Sequence, residues 1–178
     1  MIPAELALLV RDVPDFPKPG IVFRDLTPLF ANAEAMRCLA DALCEPWNDA
    51  GCTKVVGIEA RGFLLAPLVA ERLGAGVVPV RKVGKLPFTT RRVDYALEYG
   101  TDTLEIHSDA LAADDVVVVI DDVLATGGTA AGVAALVGTF SARLAGFGFA
   151  IELGFIGGRA ALDRVTAGAA VRSVLTYP

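Results

Sequence analysis

VVVVIDDVLATGGTA (Val116–Ala130) sets five β-branched residues against two adjacent carboxylates and a glycine-rich turn. A continuous β-branched run suits a strand buried on both faces, as in the centre of a parallel sheet. In such sheets ligands collect at the carboxyl ends of the strands, where Asp121 and Asp122 fall. The turn then opens a helix. Gly127 and Gly128 allow close approach of backbone N–H groups, Thr126 and Thr129 add hydroxyls, and the helix N-terminus adds partial positive charge. This is a phosphate cradle. It is not a Walker loop, because no lysine follows the glycines. Two carboxylates would repel a phosphate, so they should face sugar hydroxyls or a hydrated Mg²⁺. A phosphorylated ribose offers both ends at a suitable separation.

Outward from this stretch, strands alternate with helices. KVVGI (Lys54–Ile58), GVVPV (Gly76–Val80), GFGFAIEL (Gly146–Leu153) and VRSVLTY (Val171–Tyr177) read as further strands. Asn32–Trp47 carries apolar residues at helical spacing and should end or bend at Pro46. Helices are also expected over Phe63–Leu73, Thr129–Leu144 and Arg159–Val165, and the N-terminal MIPAELALLVRDV suits a short amphipathic helix. The fold class is therefore α/β, a mostly parallel twisted sheet flanked by helices. Gly84 to about Ser108 has no clear periodicity, and a stretch of that length is expected to be a functional lid or arm.

The 178 residues fit one domain spanning 1–178, and no apolar run approaches the length of a membrane span. With no basic leader and three cysteines (Cys38, Cys44, Cys52) that lack metal-site spacing, the chain reads as cytoplasmic, with small buried thiols. The net charge of −5 argues against a nucleic-acid binder. Yet Arg61, Arg72, Arg81, Lys82, Lys85, Arg91 and Arg92 face only one acid between Arg61 and Arg92, Glu71. A local positive field on an acidic chain suits a small, highly charged anion, although a solvated face is the alternative for any charge cluster.

The strand, acid pair and TGGT loop resemble the phosphoribosyl pyrophosphate motif of the type I phosphoribosyltransferases. DFPKPGIVFRDLTPLF (Asp15–Phe30), GIEARGF (Gly57–Phe63), RKVGKLP (Arg81–Pro87) and LEYGTDTLEIHSDAL (Leu97–Leu111) together resemble the family's adenine branch, in its order along nearly the whole chain. FTTRRVD, between Pro87 and Tyr95, matches least distinctively. The resemblance implies the type I fold, with an N-terminal hood over about residues 1–35 and a flexible lid over about 84–108. It implies transfer of 5-phosphoribose from its 1-pyrophosphate to N9 of adenine, giving AMP and diphosphate in purine salvage, with Mg²⁺ held mainly by substrate oxygens and water.

On the same basis, Ala125, Thr126, Gly127, Gly128 and Thr129 hold the 5-phosphate, and Asp121 and Asp122 meet the ribose hydroxyls and are the candidate protein ligands of Mg²⁺. Arg61, Arg81, Lys82 and Lys85 take the pyrophosphate, and Arg72 is left for an exposed helix face. The Val22 carbonyl and Arg24 amide read the adenine edge while Phe23 stacks on the ring. A 6-oxopurine reverses that hydrogen-bond pattern. Glu98 is the implied acid/base at the imidazole edge, and Tyr99 helps to close the site. The resemblance further implies a cis peptide at Glu59–Ala60 and a homodimer, while His107 fits no catalytic role. Two other readings stand beside this one: a phosphoribosyltransferase for a 6-oxopurine or orotate, and a ligand-sensing regulator on the same fold. The regulator predicts an added DNA-binding segment or a broad basic face, which the sequence lacks.

Overall fold

In the computed structural model, which describes residues 1–96, 101–166 and 168–178, the N-terminal stretch forms a 3-10 helix over Pro3–Leu9. Two short antiparallel strands, β1 (Arg11–Pro14) and β2 (Val22–Asp25), form a separate ribbon. Helices α1 (Thr27–Phe30) and α2 (Ala33–Cys44) lead into β3 (Lys54–Ile58), α3 (Gly62–Leu73) and β4 (Gly76–Lys82). An antiparallel pair, β5 (Thr90–Ala96) and β6 (Thr101–His107), precedes β7 (Val116–Leu124) and α4 (Gly128–Gly138). The chain ends with β8 (Arg143–Leu153), α5 (Gly158–Asp163) and β9 (Ala170–Tyr177).

The seven-stranded sheet has the order β5-β6-β4-β3-β7-β8-β9, parallel from β4 to β9 and antiparallel where β6 joins β4. This is the mostly parallel α/β sheet that the alternating pattern predicts. The two-residue period of β7 divides the core. Val118 and Ile120 pack beneath α1–α3 with Leu39, Leu65 and Val69, whereas Val117 and Val119 pack beneath α4 and α5 with Val133, Leu136 and Leu162. Burial on both faces is why the strand reads as an unbroken apolar run.

Boundaries follow local chemistry. The Asn32 side chain accepts from the amides of Glu34 and Ala35, both at 3.0 Å, capping α2. That helix stops at Cys44, just before Pro46. Helix α4 is shorter than expected. It ends at Gly138, the chain reverses at Ser141 (φ +59°), and Arg143 and Leu144, expected in the helix, begin β8 beside Val116 and Val117. An alanine-rich run carries little periodicity to mark its own end.

The segment expected to be a lid or arm forms β5 and β6 over most of its described length, so regular strands were missed there. Arg91 fixes this pair to the body: its guanidinium donates to the Thr139 carbonyl at the end of α4 and lies 3.8 Å from the Phe140 ring centroid. Among the described residues no helix is long and apolar enough to cross a membrane.

Candidate active site

Strand β3 makes its last pairing with β7 at Gly57–Ile120, and past Ile58 the chain turns through a cis Glu59–Ala60 peptide into α3. Strand β7 continues to Leu124, so the acid pair lies within the strand rather than just after it. Because β3 connects onward to β4 on one side and β7 to β8 on the other, a crevice opens between them, the usual ligand position in such sheets. The cleft there has a volume of about 500 Å³ and is lined in part by Phe23, Arg61, Lys82, Tyr95, Asp121 and Asp122.

At one end, Ala125, Thr126, Gly127 and Thr129 line a recess of about 70 Å³ at the start of α4. Gly127 has φ +80°, a left-handed conformation that disfavours side chains, and a Cβ there would lie 2.6 Å from the Gly158 carbonyl oxygen. A Cβ on Gly158 would in turn run into the Ala125 carbonyl. The loop is thus packed backbone to backbone against the N-terminus of α5. Arg159, one residue on, is fixed by Glu152 at 2.5 Å and by the Val171 carbonyl at 2.7 Å.

Asp121 and Asp122 occupy the middle. Asp122 is buried, and Arg61 Nε lies 2.6 Å from its Oδ2, close enough to pair charges but not aligned as a hydrogen bond. Burial pushes the Asp121 carboxyl well above the usual range, and the Asp122 charge pushes in the same direction. Burial also raises Asp122, against the opposing pull of Arg61. Two carboxylates in this setting resist carrying full charge together. A cation or a set of hydroxyl donors would relieve them.

The expected pyrophosphate cations converge as well, but each already has an acidic partner. Lys85 Nζ donates to Glu59 Oε1, and Arg81 Nε donates to Glu59 Oε2 at 3.3 Å, beside the Lys82 amide at 3.0 Å. Lys82 Nζ pairs with Asp102 at 3.1 Å. Glu105, fully buried on β6, accepts from the amides of Lys85 (3.0 Å) and Leu86 (3.1 Å) and pairs with Arg92 at 3.2 Å. Burial opposes its charge, but those amides and Arg92 outweigh it and hold the carboxyl below the ordinary range.

The β1–β2 ribbon brings Val22, Phe23 and Arg24 to the cleft lining. Phe23 meets Phe16 edge-on at 5.3 Å between centroids and faces the Arg61 guanidinium at 5.3 Å. Arg24 pairs with Asp12 and lies 4.4 Å from the Tyr177 ring centroid, while Arg11 holds Asp25 at 2.5 Å. Of the predicted base, sugar and phosphate residues, Val22, Phe23, Arg24, Asp121, Asp122, Ala125 and Thr129 share one cleft, Thr126 and Gly127 line the adjoining recess, and Gly128 lines neither. Arg81 and Lys85 reach its rim through Glu59. Glu98 and Tyr99 lie outside the described residues.

Arg72, expected on an exposed helix face, is partly buried and joins α3 to α2 through Asp41 at 2.6 Å. His107 stays away from the cleft, with Nε2 buried and without a hydrogen-bond partner and its ring edge-on to Phe88. Sequence reasoning missed Tyr95, Asp102 and Glu105, and it named Glu59 only as part of a turn. The alternation in RRVDYA (Arg91–Ala96) was the available signal for a strand placing Tyr95 on an inner face.

A family model for the phosphoribosyl transferase domain matches residues 33–153. The adenine phosphoribosyltransferase of Streptomyces clavuligerus is 55% identical over 154 residues, 86% of either chain. The crystal structure of the adenine phosphoribosyltransferase of Rhodothermus marinus superposes with a TM-score of 0.91 at 47% identity, covering 98% of both chains. That of Saccharomyces cerevisiae, complexed with adenine and an imino-altritol bisphosphate, gives a TM-score of 0.89 at 40% identity, covering 97% of this chain and 98% of that one. With its crevice, acid pair and glycine loop arranged on the type I fold, the chain belongs to the phosphoribosyltransferase family, in its adenine phosphoribosyltransferase branch.

Proposed function

We propose that the cleft transfers 5-phosphoribose from phosphoribosyl pyrophosphate to N9 of adenine, forming AMP and diphosphate. The observation that carries this reading is the set of groups gathered at one crevice: Phe23, Arg61, Lys82 and the acid pair on its walls, the glycine-rich turn at one end, and Arg81 and Lys85 reached through Glu59 at its rim. In this reading Phe23 stacks on the base, and the backbone of Val22 and Arg24 reads its edge. Asp121 and Asp122 take the ribose hydroxyls, and residues 125–129 hold the 5-phosphate. The pyrophosphate lies toward Arg61, Lys82, Arg81 and Lys85.

As the C1–O bond to pyrophosphate breaks, positive charge grows on the ribose ring, and the buried acids are placed to stabilise it. The basic residues stabilise the departing polyanion. Glu98 holds the proton released from the imidazole edge of adenine. Glu98→Gln should therefore lower kcat at least tenfold while leaving phosphoribosyl pyrophosphate affinity nearly unchanged, and steady-state turnover checks this.

Mg²⁺ fits the donor set. The described residues contain no cluster of three metal-binding side chains, but Asp122 Oδ2, beside Asp121, is a buried oxygen without a hydrogen-bond partner, held only by the Arg61 charge at 2.6 Å, which the ion would share or replace. One or two carboxylates with water and substrate oxygens are the usual Mg²⁺ environment. When bound, the ion neutralises charge on the pyrophosphate. A homodimer working in the cytoplasm in purine salvage completes the proposal.

The test is pyrophosphate release from phosphoribosyl pyrophosphate with adenine, hypoxanthine, guanine, xanthine or orotate. Adenine-selective turnover is expected. Turnover with a 6-oxopurine or orotate alone would move the chain to another base, and no turnover with any would refute the transferase reading.

A further inference from the structure

Among the described residues, the cleft contains one carboxylate that neither the acid pair nor the loop-holding acids account for. Asp102, on β6, lines the cleft wall with Lys82, Tyr95 and Thr129. Its Oδ1 accepts from the Thr103 amide at 2.8 Å, a local bond. Its Oδ2 takes two groups from the cleft: Lys82 Nζ at 3.1 Å and the Tyr95 hydroxyl at 3.4 Å. That hydroxyl also faces the Thr129 side chain, so the contacts run from the lysine at the pyrophosphate end to the threonine of the 5-phosphate loop.

Glu59 makes a useful contrast. It too binds cations, but it also accepts the Lys82 backbone amide and is nearly buried, so it is tied into the loop it neutralises. The Asp102–Lys82 pair is more open, with side chains 24% and 55% exposed, and only side chains hold it together. Their mutual hydrogen bond is the first cause that holds the Asp102 carboxyl below its ordinary value and the Lys82 ammonium above its own; the Thr103 amide comes next for Asp102, and the Asp102 charge for Lys82.

We propose that Asp102 is a displaceable counter-ion: it holds Lys82 until the pyrophosphate group arrives and is then exchanged for it. The inference rests on the pyrophosphate end assigned above. An oxygen of the multiply charged pyrophosphate group competes well with one carboxylate for an ammonium, and the exchange lowers the net gain from binding. Asp102 therefore weakens retention of the leaving product, and it is a tuning residue rather than a catalytic one.

The experiment is calorimetric titration of magnesium pyrophosphate into the full-length protein and its Asp102→Asn, Asp102→Ser and Asp102→Glu variants. Asn and Ser should each bind pyrophosphate about two- to fivefold tighter, the scale of a partly exposed ion pair, and Glu should restore the original affinity. In a Lys82→Met background, Asp102→Asn should have no effect. Damage to the fold would weaken binding, so tighter binding is a readout that a structural role does not produce. Unchanged or weaker binding in both Asn and Ser, with the parent protein binding normally, would overturn the counter-ion. Failure of the parent protein to bind pyrophosphate would overturn this inference and the assigned pyrophosphate end together.

Discussion

In the proposed reading, the two ends of the cleft each hold a phosphate, and they are built by different means. The 5-phosphate end is built from backbone: residues 125–129 turn through Gly127 at φ +80° and pack against Gly158. The pyrophosphate end is built from long basic side chains, each held by a carboxylate before any ligand arrives. A backbone cradle is rigid and tolerates little change. A side-chain array is adjustable, and its charges are partly cancelled in advance. The first should therefore fail abruptly on substitution and the second by degrees.

The largest expected effect is at the backbone end. Gly158→Ala would push a methyl group into the Ala125 carbonyl, and only movement of the loop or of α5 relieves the clash. Loss of about 3–4 kcal/mol of stability, read from denaturant unfolding, and a rise of more than tenfold in KM for phosphoribosyl pyrophosphate are expected. A variant with ordinary stability and KM would show that the loop is not held from behind.

The middle of the cleft comes next. Asp121→Asn with Asp122→Asn keeps the shape and removes the charge. Because burial already holds both carboxyls above their usual range, the free protein should tolerate the change or gain slightly in stability. Turnover should fall about a hundredfold, since in the proposed reading these groups act on charge that appears only in the transition state. Equal turnover would place the developing charge elsewhere.

How much of this was legible in sequence follows the same division. Val116–Ile120 displayed its burial in its composition, and TGGT displayed its turn, because both express backbone requirements that few residue types satisfy. The sheet, its flanking helices and the glycine-rich turn that opens α4 followed from these. Asp102 and Glu105 carry no such mark: a carboxylate on a strand reads the same whether it faces water or a buried loop. Their roles depend on β6 lying beside β4, a pairing between residues about twenty positions apart. Tyr95 was hidden similarly, and the end of α4 was blurred by an alanine-rich run. The basic segment was visible as charge, but its pre-pairing with Glu59 was not.

Glu105 tests whether the pyrophosphate end has a rigid support of its own. Glu105→Gln keeps the size but loses the charge that the amides of Lys85 and Leu86 and the Arg92 guanidinium bind. A cost of about 2 kcal/mol is expected at neutral pH. The folded carboxyl sits below its ordinary value of 4.5, so its contribution is fully present above that value and fades as pH falls through the lower folded value. The gap in stability between parent and variant should therefore close in acid. A gap that persisted at low pH would mean that packing, not charge, is what the variant disturbs.

The smallest effect belongs to a single cation of the array. Lys85 Nζ is half exposed and already bonded to Glu59, so a ligand gains only the difference between a carboxylate and a phosphate partner. Lys85→Ala should leave the melting temperature within about two degrees and raise KM for phosphoribosyl pyrophosphate about tenfold, with kcat changed less. The size of this change, set beside that of Gly158→Ala, separates the two designs. Removing one cation leaves Arg61, Arg81 and Lys82 to share the charge, whereas moving one backbone atom spoils every bond the loop makes. If Lys85→Ala abolished binding outright, the array would be as brittle as the cradle, and the distinction between the two ends would be lost.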